Sequence, residues 1–351
     1  MTRNEDFFHS PQGAAQMKHA ILKGYLPVFA GTTGSTSVDH RVAYIDAFAG
    51  PGAYIDGTPG SPSIVLEIAQ AMNGQRRIEG HCIEARNDLF VELESRLAAQ
   101  DDWHAIHGTA VDKLPKVLAS TSGVPCFAFL DPFGIKDMPF ELVTTVLRRG
   151  PKTEALVRFD NAGVWRTGGH LTSDQGSIHS LEALDVFCGG DWWRDFWSPG
   201  EGRSFSDAVL AEYASRVRKG ARVGSFWFEV ADRPDGPTAY HLIHFASHPL
   251  AFWAMNDQLS KWREKALPGD SLFDQPDMWV DEIASNLTEL LPSTPRFNVM
   301  SRMGDVLGTT LGKARGLHVR KALQKLEADG IVHGPIKGDM GRFVVRRPDG
   351  R

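Results

Sequence analysis

Cysteine is scarce in this chain: three residues in 351, at Cys82, Cys126 and Cys188. They stand far apart and in no metal-ligand spacing. That excludes a disulfide framework and gives no support to a zinc or iron–sulfur centre. Long apolar runs are missing as well, and no stretch approaches the ~20 residues that cross a bilayer. The N-terminal MTRNEDFFHS lacks the basic-then-apolar order of a signal peptide. These absences predict a soluble protein of the cytoplasm with no membrane contact and no metal. A disordered composition is also absent, since 42% of the residues are apolar. The length suits one large domain and a small one.

What charge there is lies unevenly. Residues 292–351 hold 12 Lys/Arg against 5 Asp/Glu, a balance of +7, and the remaining 291 hold 26 against 38, a balance of −12. An acidic body with a basic tail suggests that the tail meets a polyanion.

The most informative stretch is Tyr44-Ile-Asp-Ala-Phe-Ala-Gly-Pro-Gly52. An apolar run from Val42 to Phe48 reads as a strand buried on both faces, and it breaks into Gly50-Pro51-Gly52. Ser61-Pro62 then opens a helix, with Ser61 expected as N-cap. Buried strand, glycine turn and helix N-terminus together make a cradle for a nucleotide-like ligand. Further strands are expected at 77–84, 103–107, 125–130 and 155–159, with helices between them at 62–72, 87–99, 111–118 and 138–147. An N-terminal helix should begin at Ser10-Pro11 and stop at Pro27. Strands alternating with helices, without hairpins, specify a parallel sheet wrapped on both faces.

Past Asp160 the alternation lapses. Residues 161–178 read as loop, and 179–219 as helices around an aromatic knot at Trp192, Trp193, Phe196 and Trp197. We expect that knot to be a local core. Two strands, 223–230 and 240–246, flank the turn composition of 232–237 and should be antiparallel. A helix is expected at 250–264. The predicted fold class is therefore α/β: a Rossmann-like sheet, mostly parallel with an antiparallel end, spanning residues 1–290. A helical insert occupies about 161–220. Residues 291–351 read as a separate winged helix-turn-helix, with helices at 300–307 and 317–328. Its wing would have strands at 331–333 and 342–345.

Several acidic positions end strands or follow them: Asp46 beside Phe48, Gly50 and Gly52, then Glu84, Thr109 with Asp112, and Asp131. In an open parallel sheet such ends converge on one crevice. Glu84 is placed to take the two ribose hydroxyls of a nucleoside, with Thr109 or Asp112 near the base. That order suits S-adenosylmethionine as well as NAD. The antiparallel final strand and Asp131-Pro132-Phe133 favour the methyl donor. A carboxylate, a backbone carbonyl and an aromatic ring in that order would draw an exocyclic amine towards tetrahedral geometry and stack on its base. Lys18 and His19 are candidates for touching donor or substrate, and Arg315, Arg320 and Lys321 for gripping nucleic acid, DNA or RNA. His241, His244 and His248 repeat on a strand and its exit, and are expected as sheet residues.

Four blocks, Lys18–Pro27, Tyr44–Tyr54, Gly60-Ser-Pro62 and Leu130-Asp-Pro-Phe-Gly134, together resemble the three-Cys-motif partner protein family (TcmP) over residues 10–290. The resemblance implies a methyltransferase-like Rossmann fold and a partner, encoded nearby, that carries a radical-SAM-like cysteine cluster. The first two blocks are also similar to bacterial adenine-N6 rRNA methyltransferases. Asp131-Pro-Phe-Gly134 departs from the Asp-Pro-Pro-Tyr pattern by lacking the second proline. The expected activity is methyl transfer to a base amine. The alternative is a non-catalytic subunit that positions nucleic acid for the partner.

Overall fold

The computed structural model describes residues 13–231, 238–266, 276–294, 296–333 and 344–346. By its contacts the chain divides into two units, Met1–Ser247 and His248–Arg351.

The first unit is built on a seven-stranded sheet of order β3-β2-β1-β4-β5-β7-β6. Its strands are β1 (Arg41–Asp46), β2 (Arg77–Glu84), β3 (Trp103–His107), β4 (Cys126–Leu130), β5 (Thr153–Phe159), β6 (Gly224–Ala231) and β7 (Thr238–Ala246). The first five pair in parallel, and β7 runs antiparallel to both β5 and β6. That order and that reversed end are the class I methyltransferase arrangement. β4 is buried at every residue, as expected of a strand covered on both faces. On the edge strand β6, burial alternates from Phe226 to Val230, as one wetted face requires.

Helices supply the outer layers: α1 (Gly13–Thr32), α2 (Ser61–Met72), α3 (Asn87–Leu97), α4 (Ala110–Ser120) and α5 (Phe140–Leu147). Two boundaries differ from expectation. α1 runs through Pro27, because Phe29 and Ala30 beyond it are buried and their packing outweighs the missing N–H. Ser61 lies inside α2 and Gly60 is the N-cap, so the serine hydroxyl is available to other partners. Residues expected as loop after β5 instead form α6 (Asn161–Gly168) and the 3₁₀ turn Gly169–Leu171. The Asp160 side chain caps that helix by accepting the Gly163 N–H at 3.0 Å, a local signal that its polar composition concealed.

The insert continues with α7 (Ile178–Cys188), a 3₁₀ turn at Trp192–Phe196 and α8 (Gly202–Ala221). Of the aromatic knot, Trp193 belongs to the core, Trp192 and Trp197 pack against it partly buried, and Phe196 is exposed. Trp193 is fully buried, and its indole donates to Asp185 at 2.8 Å. His241 and His244 do lie in the sheet, beside Asn161 and Glu154 at 2.6 and 2.9 Å.

The second unit contains α9 (Pro249–Ala266), α10 (Pro276–Leu290), β8 (Arg296–Asn298), α11 (Met303–Leu307), α12 (Gly316–Ala328) and β9 (Val344–Arg346). It starts well before the expected boundary at 291. The reason is its core: Ile283 and Leu287 of α10 are buried with Val306, Val319, Leu323 and Val345. Asn256 of α9 accepts the Gly312 N–H at 2.7 Å and donates to the Ala314 carbonyl at 2.8 Å, tying α9 to the same unit. β9 pairs antiparallel with β8, which lies ahead of the helices and was not expected as a strand. Ile331–His333 is not a strand, and the expected wing turn at 334–341 lies outside the described residues. Among the described residues no helix is long and apolar enough to cross a membrane.

Candidate functional site

Parallel pairing brings the ends of β1 and β4 side by side, with Asp46 opposite Phe129 and the Ala47 N–H donating to the Phe129 carbonyl at 3.1 Å. The chain then leaves β1 through a turn in which Gly50 and Gly52 hold φ of 62° and 80°. A residue with a side chain adopts that region only under strain, which is the local reason for both glycines. The Ala49 N–H bonds the Ile83 carbonyl at 2.9 Å and fastens the turn to the end of β2. Helix α1 crosses nearby and contributes Lys18 and His19. The cleft so formed is lined by these two, by Phe48, Gly50, Gly52 and Tyr54 of the turn, and by Asp131 and Phe133.

Asp131 is the electrostatic centre of the cleft. Its Oδ2 is ion-paired to the Lys18 ammonium, and both side chains are buried. Arg158 Nη1 stands 3.7 Å from its Oδ1, since Leu130 pairs with Val157 and the next residue of β5 falls beside it. The Arg158 guanidinium lies 4.1 Å from the centre of the Tyr240 ring. Burial works to raise the Asp131 pKa, but Lys18 and Arg158 together outweigh it and hold the carboxyl below its ordinary range. Oδ1 is buried and takes no hydrogen bond among the described residues. His19 is pushed down to about 3, first by burial and then by the Lys18 charge, so the ring against Tyr54 is a neutral imidazole.

Other expected residues take different places. Asp46 is fully buried beneath the turn and does not line the cleft. It accepts from the Tyr44 hydroxyl at 3.0 Å and from the Phe48 N–H at 3.3 Å, and Ser61 also bonds it. Burial raises it to about 6 despite those donors. Glu84 ends β2 as expected, yet both its oxygens serve the backbone. Oε2 accepts the Gly50 N–H at 2.8 Å and Oε1 the Arg86 N–H at 2.7 Å. Each oxygen keeps a second lone pair. Thr109 caps α4 by accepting the Asp112 N–H, and its hydroxyl donates to the Asp112 carboxylate at 2.7 Å. Both are exposed, outside the cleft lining. Pro132 is buried, whereas Phe133 is 46% exposed over the cleft.

In the second unit Arg315 is not open to a ligand. Its backbone N–H donates to the His318 ring at 2.9 Å, and its guanidinium pairs with Glu264 at 3.1 Å. Arg320 and Lys321 are exposed on α12.

Sequence reasoning missed Arg158, Tyr240 and Tyr54. Arg158 did carry a signal: it is the one cation in the apolar run Ala155–Phe159, and a charge there must find a partner.

No family model matches this chain, and no curated protein matches it. Solved structures do. Protein LPL1258 from Legionella pneumophila is 12% identical at a TM-score of 0.41, over 75% of this chain and 96% of its own. The plantazolicin methyltransferase BamL, solved with a desmethylPZN analogue and SAH, is 9% identical at 0.37, over 66% and 84%. The methyltransferase domain of a bacterial Hen1, CtHen1-CN, is 8% identical at 0.34, over 66% and 99%. At these values the fold assignment rests on strand order and direction alone.

Proposed function

We propose that the first unit is an S-adenosylmethionine-dependent methyltransferase whose target is the exocyclic amine of a nucleic-acid base. The observation that carries this reading is Asp131: an ionised, buried carboxylate at the end of β4, with no hydrogen bond to Oδ1 among the described residues and an exposed aromatic two residues on. Bound S-adenosylmethionine would supply an electrophilic methyl group. The glycine turn leaves room for close backbone approach, and Glu84 keeps acceptor capacity for ribose hydroxyls. Phe48 and Gly52 line the same cleft.

The chain's own residues then act as follows. Asp131 Oδ1 accepts one N–H of the amine, the Pro132 carbonyl accepts the other, and Phe133 stacks on the base. Accepting both hydrogens draws the nitrogen lone pair out of conjugation. Because Lys18 and Arg158 hold Asp131 below the usual carboxylate range, it orients the amine and is a weak base. The released proton passes to water. Neutral His19 adds no charge that would repel a cationic donor.

We read the second unit as a winged helix that grips the nucleic acid through Arg320 and Lys321. Its helix–strand–helix–helix–strand order and the basic tail support this. The family resemblance adds a cysteine-cluster partner. A second reading, a positioning subunit without turnover, is favoured by one contact: Lys18 already occupies Asp131 Oδ2.

Isothermal titration tests the cofactor assignment. We expect a single S-adenosylmethionine site and weaker binding of NAD. Absence of S-adenosylmethionine binding, or tighter NAD binding, would overturn it.

A further inference from the structure

A second cleft lies on the sheet between α4 and strands β2 and β3. Its volume is about 600 Å³, within the ~300–1,000 Å³ of small-molecule sites. Arg41 is the first residue of β1, Glu79 lies in the first half of β2 and His104 is second in β3, so the cleft reaches the strand beginnings. The glycine turn is at the opposite ends.

Its charge is lopsided. Among the described residues Glu79 is the only carboxylate in the lining, and Arg41 Nη2 stands 2.7 Å from its Oε2. Burial pushes Glu79 up, but His81 and Arg41 pull it below its ordinary range, so the pair is ionised and self-neutralised. Lys113 and Lys116, one turn apart on α4, face the same cleft and have no ion pair among the described residues. The His81 and His104 rings stand 5.2 Å apart between centroids.

His81 Nε2 lies 3.9 Å from Glu79 Oε1, and both of these atoms are closed off from solvent.

We propose that this cleft binds a small organic phosphate. Lys113, Lys116 and the two imidazoles take the phosphate, and its apolar body lies against Ile106 and Val117. A phosphate monoester carries about −2 near neutral pH and three acceptor oxygens, which matches two lysines and two ring donors. A monocarboxylate would leave much of that charge uncompensated.

The test uses adenosine 5′-monophosphate as probe and adenosine as its uncharged control. Titrations are run on the full chain, with and without saturating S-adenosylhomocysteine. The variant is Lys113→Gln with Lys116→Gln, at the solvent edge of α4, with circular dichroism to verify folding. We expect the monophosphate to bind the wild type and at least about tenfold more weakly the folded double variant. Adenosine should not bind, and S-adenosylhomocysteine should not compete. The proposal is overturned by no monophosphate binding at millimolar concentration, by equal binding to the variant or of adenosine, or by displacement with S-adenosylhomocysteine.

Discussion

Replacing Glu84 with Gln should destabilise the first unit even when no ligand is present. The carboxylate is 8% exposed, and it accepts two backbone N–H groups, from Gly50 at 2.8 Å and Arg86 at 2.7 Å. Gln preserves one acceptor and turns an NH₂ towards the other N–H. One charge-assisted bond becomes neutral, and one buried donor is left without a partner. Hydrogen bonds to charged groups contribute about 1.5–3 kcal/mol, and an unsatisfied buried group costs about 1–3 kcal/mol, so a loss of roughly 2–4 kcal/mol follows. For a unit of this size that is a fall of roughly 5–15 °C in Tm. Thermal unfolding of ligand-free wild type and variant, followed by near-ultraviolet circular dichroism, measures it. An unchanged Tm would refute the bonding assigned to Glu84. Glu84→Ala removes both acceptors, so its loss should exceed that of Glu84→Gln, and on the proposed ribose contact it should also weaken S-adenosylmethionine by about a hundredfold.

Asp46 provides a test in pH. Its folded-state pKa of about 6 lies above the unfolded value, so the stability it contributes is full below about pH 4 and is lost as pH rises through 6. Relative to wild type, Asp46→Asn should therefore gain about 3 kcal/mol between pH 4 and pH 7 in urea unfolding; a constant difference would be contrary evidence. His19 works in the opposite direction: lowered to about 3, it gives stability above pH 6.5 that falls away on acidification. Over pH 6 to pH 4 the His19→Gln variant should therefore lose less stability than the wild type, and identical slopes would count against the buried neutral ring. In the second unit, Arg320→Gln with Lys321→Gln should lower the salt slope of duplex binding by up to about 2, near 0.9 for each phosphate no longer neutralised. A full slope in that variant would place the grip elsewhere.

The sheet was legible because its strands announce themselves. Val42–Phe48 and Cys126–Leu130 are apolar runs broken by turns, and the alternation with helices leaves little choice of topology. α6 was not legible: Asn161–Gly168 has polar and glycine residues throughout, and its existence depends on the Asp160 cap and on packing. β8 is three residues long and is a strand only because β9 pairs with it. At the site, the sequence picks out which residue types end the strands but not which way they face. Asp46 and Glu84 stand where expected, and both turn their carboxylates to the protein's own donors. Arg158 reaches Asp131 only through the β4–β5 register, a long-range fact with no local pattern beyond a charge in an apolar strand.

Methyl transfer by Asp131→Asn beside wild type tests the central claim most directly. Each protein is given S-adenosylmethionine labelled at the methyl group, with DNA and with RNA, with and without the proposed cysteine-cluster partner. The products are then digested to nucleosides. Asn keeps the shape of Asp131 and loses its charge, a change comparable to removing one oxyanion-hole donor, so turnover should fall by ~100-fold or more. Donor affinity should change by less than about tenfold. The expected result is label on an exocyclic base amine with the wild type and its loss with Asp131→Asn. Wild type that binds the donor yet labels neither nucleic acid, or a variant that labels at the wild-type rate, would contradict it.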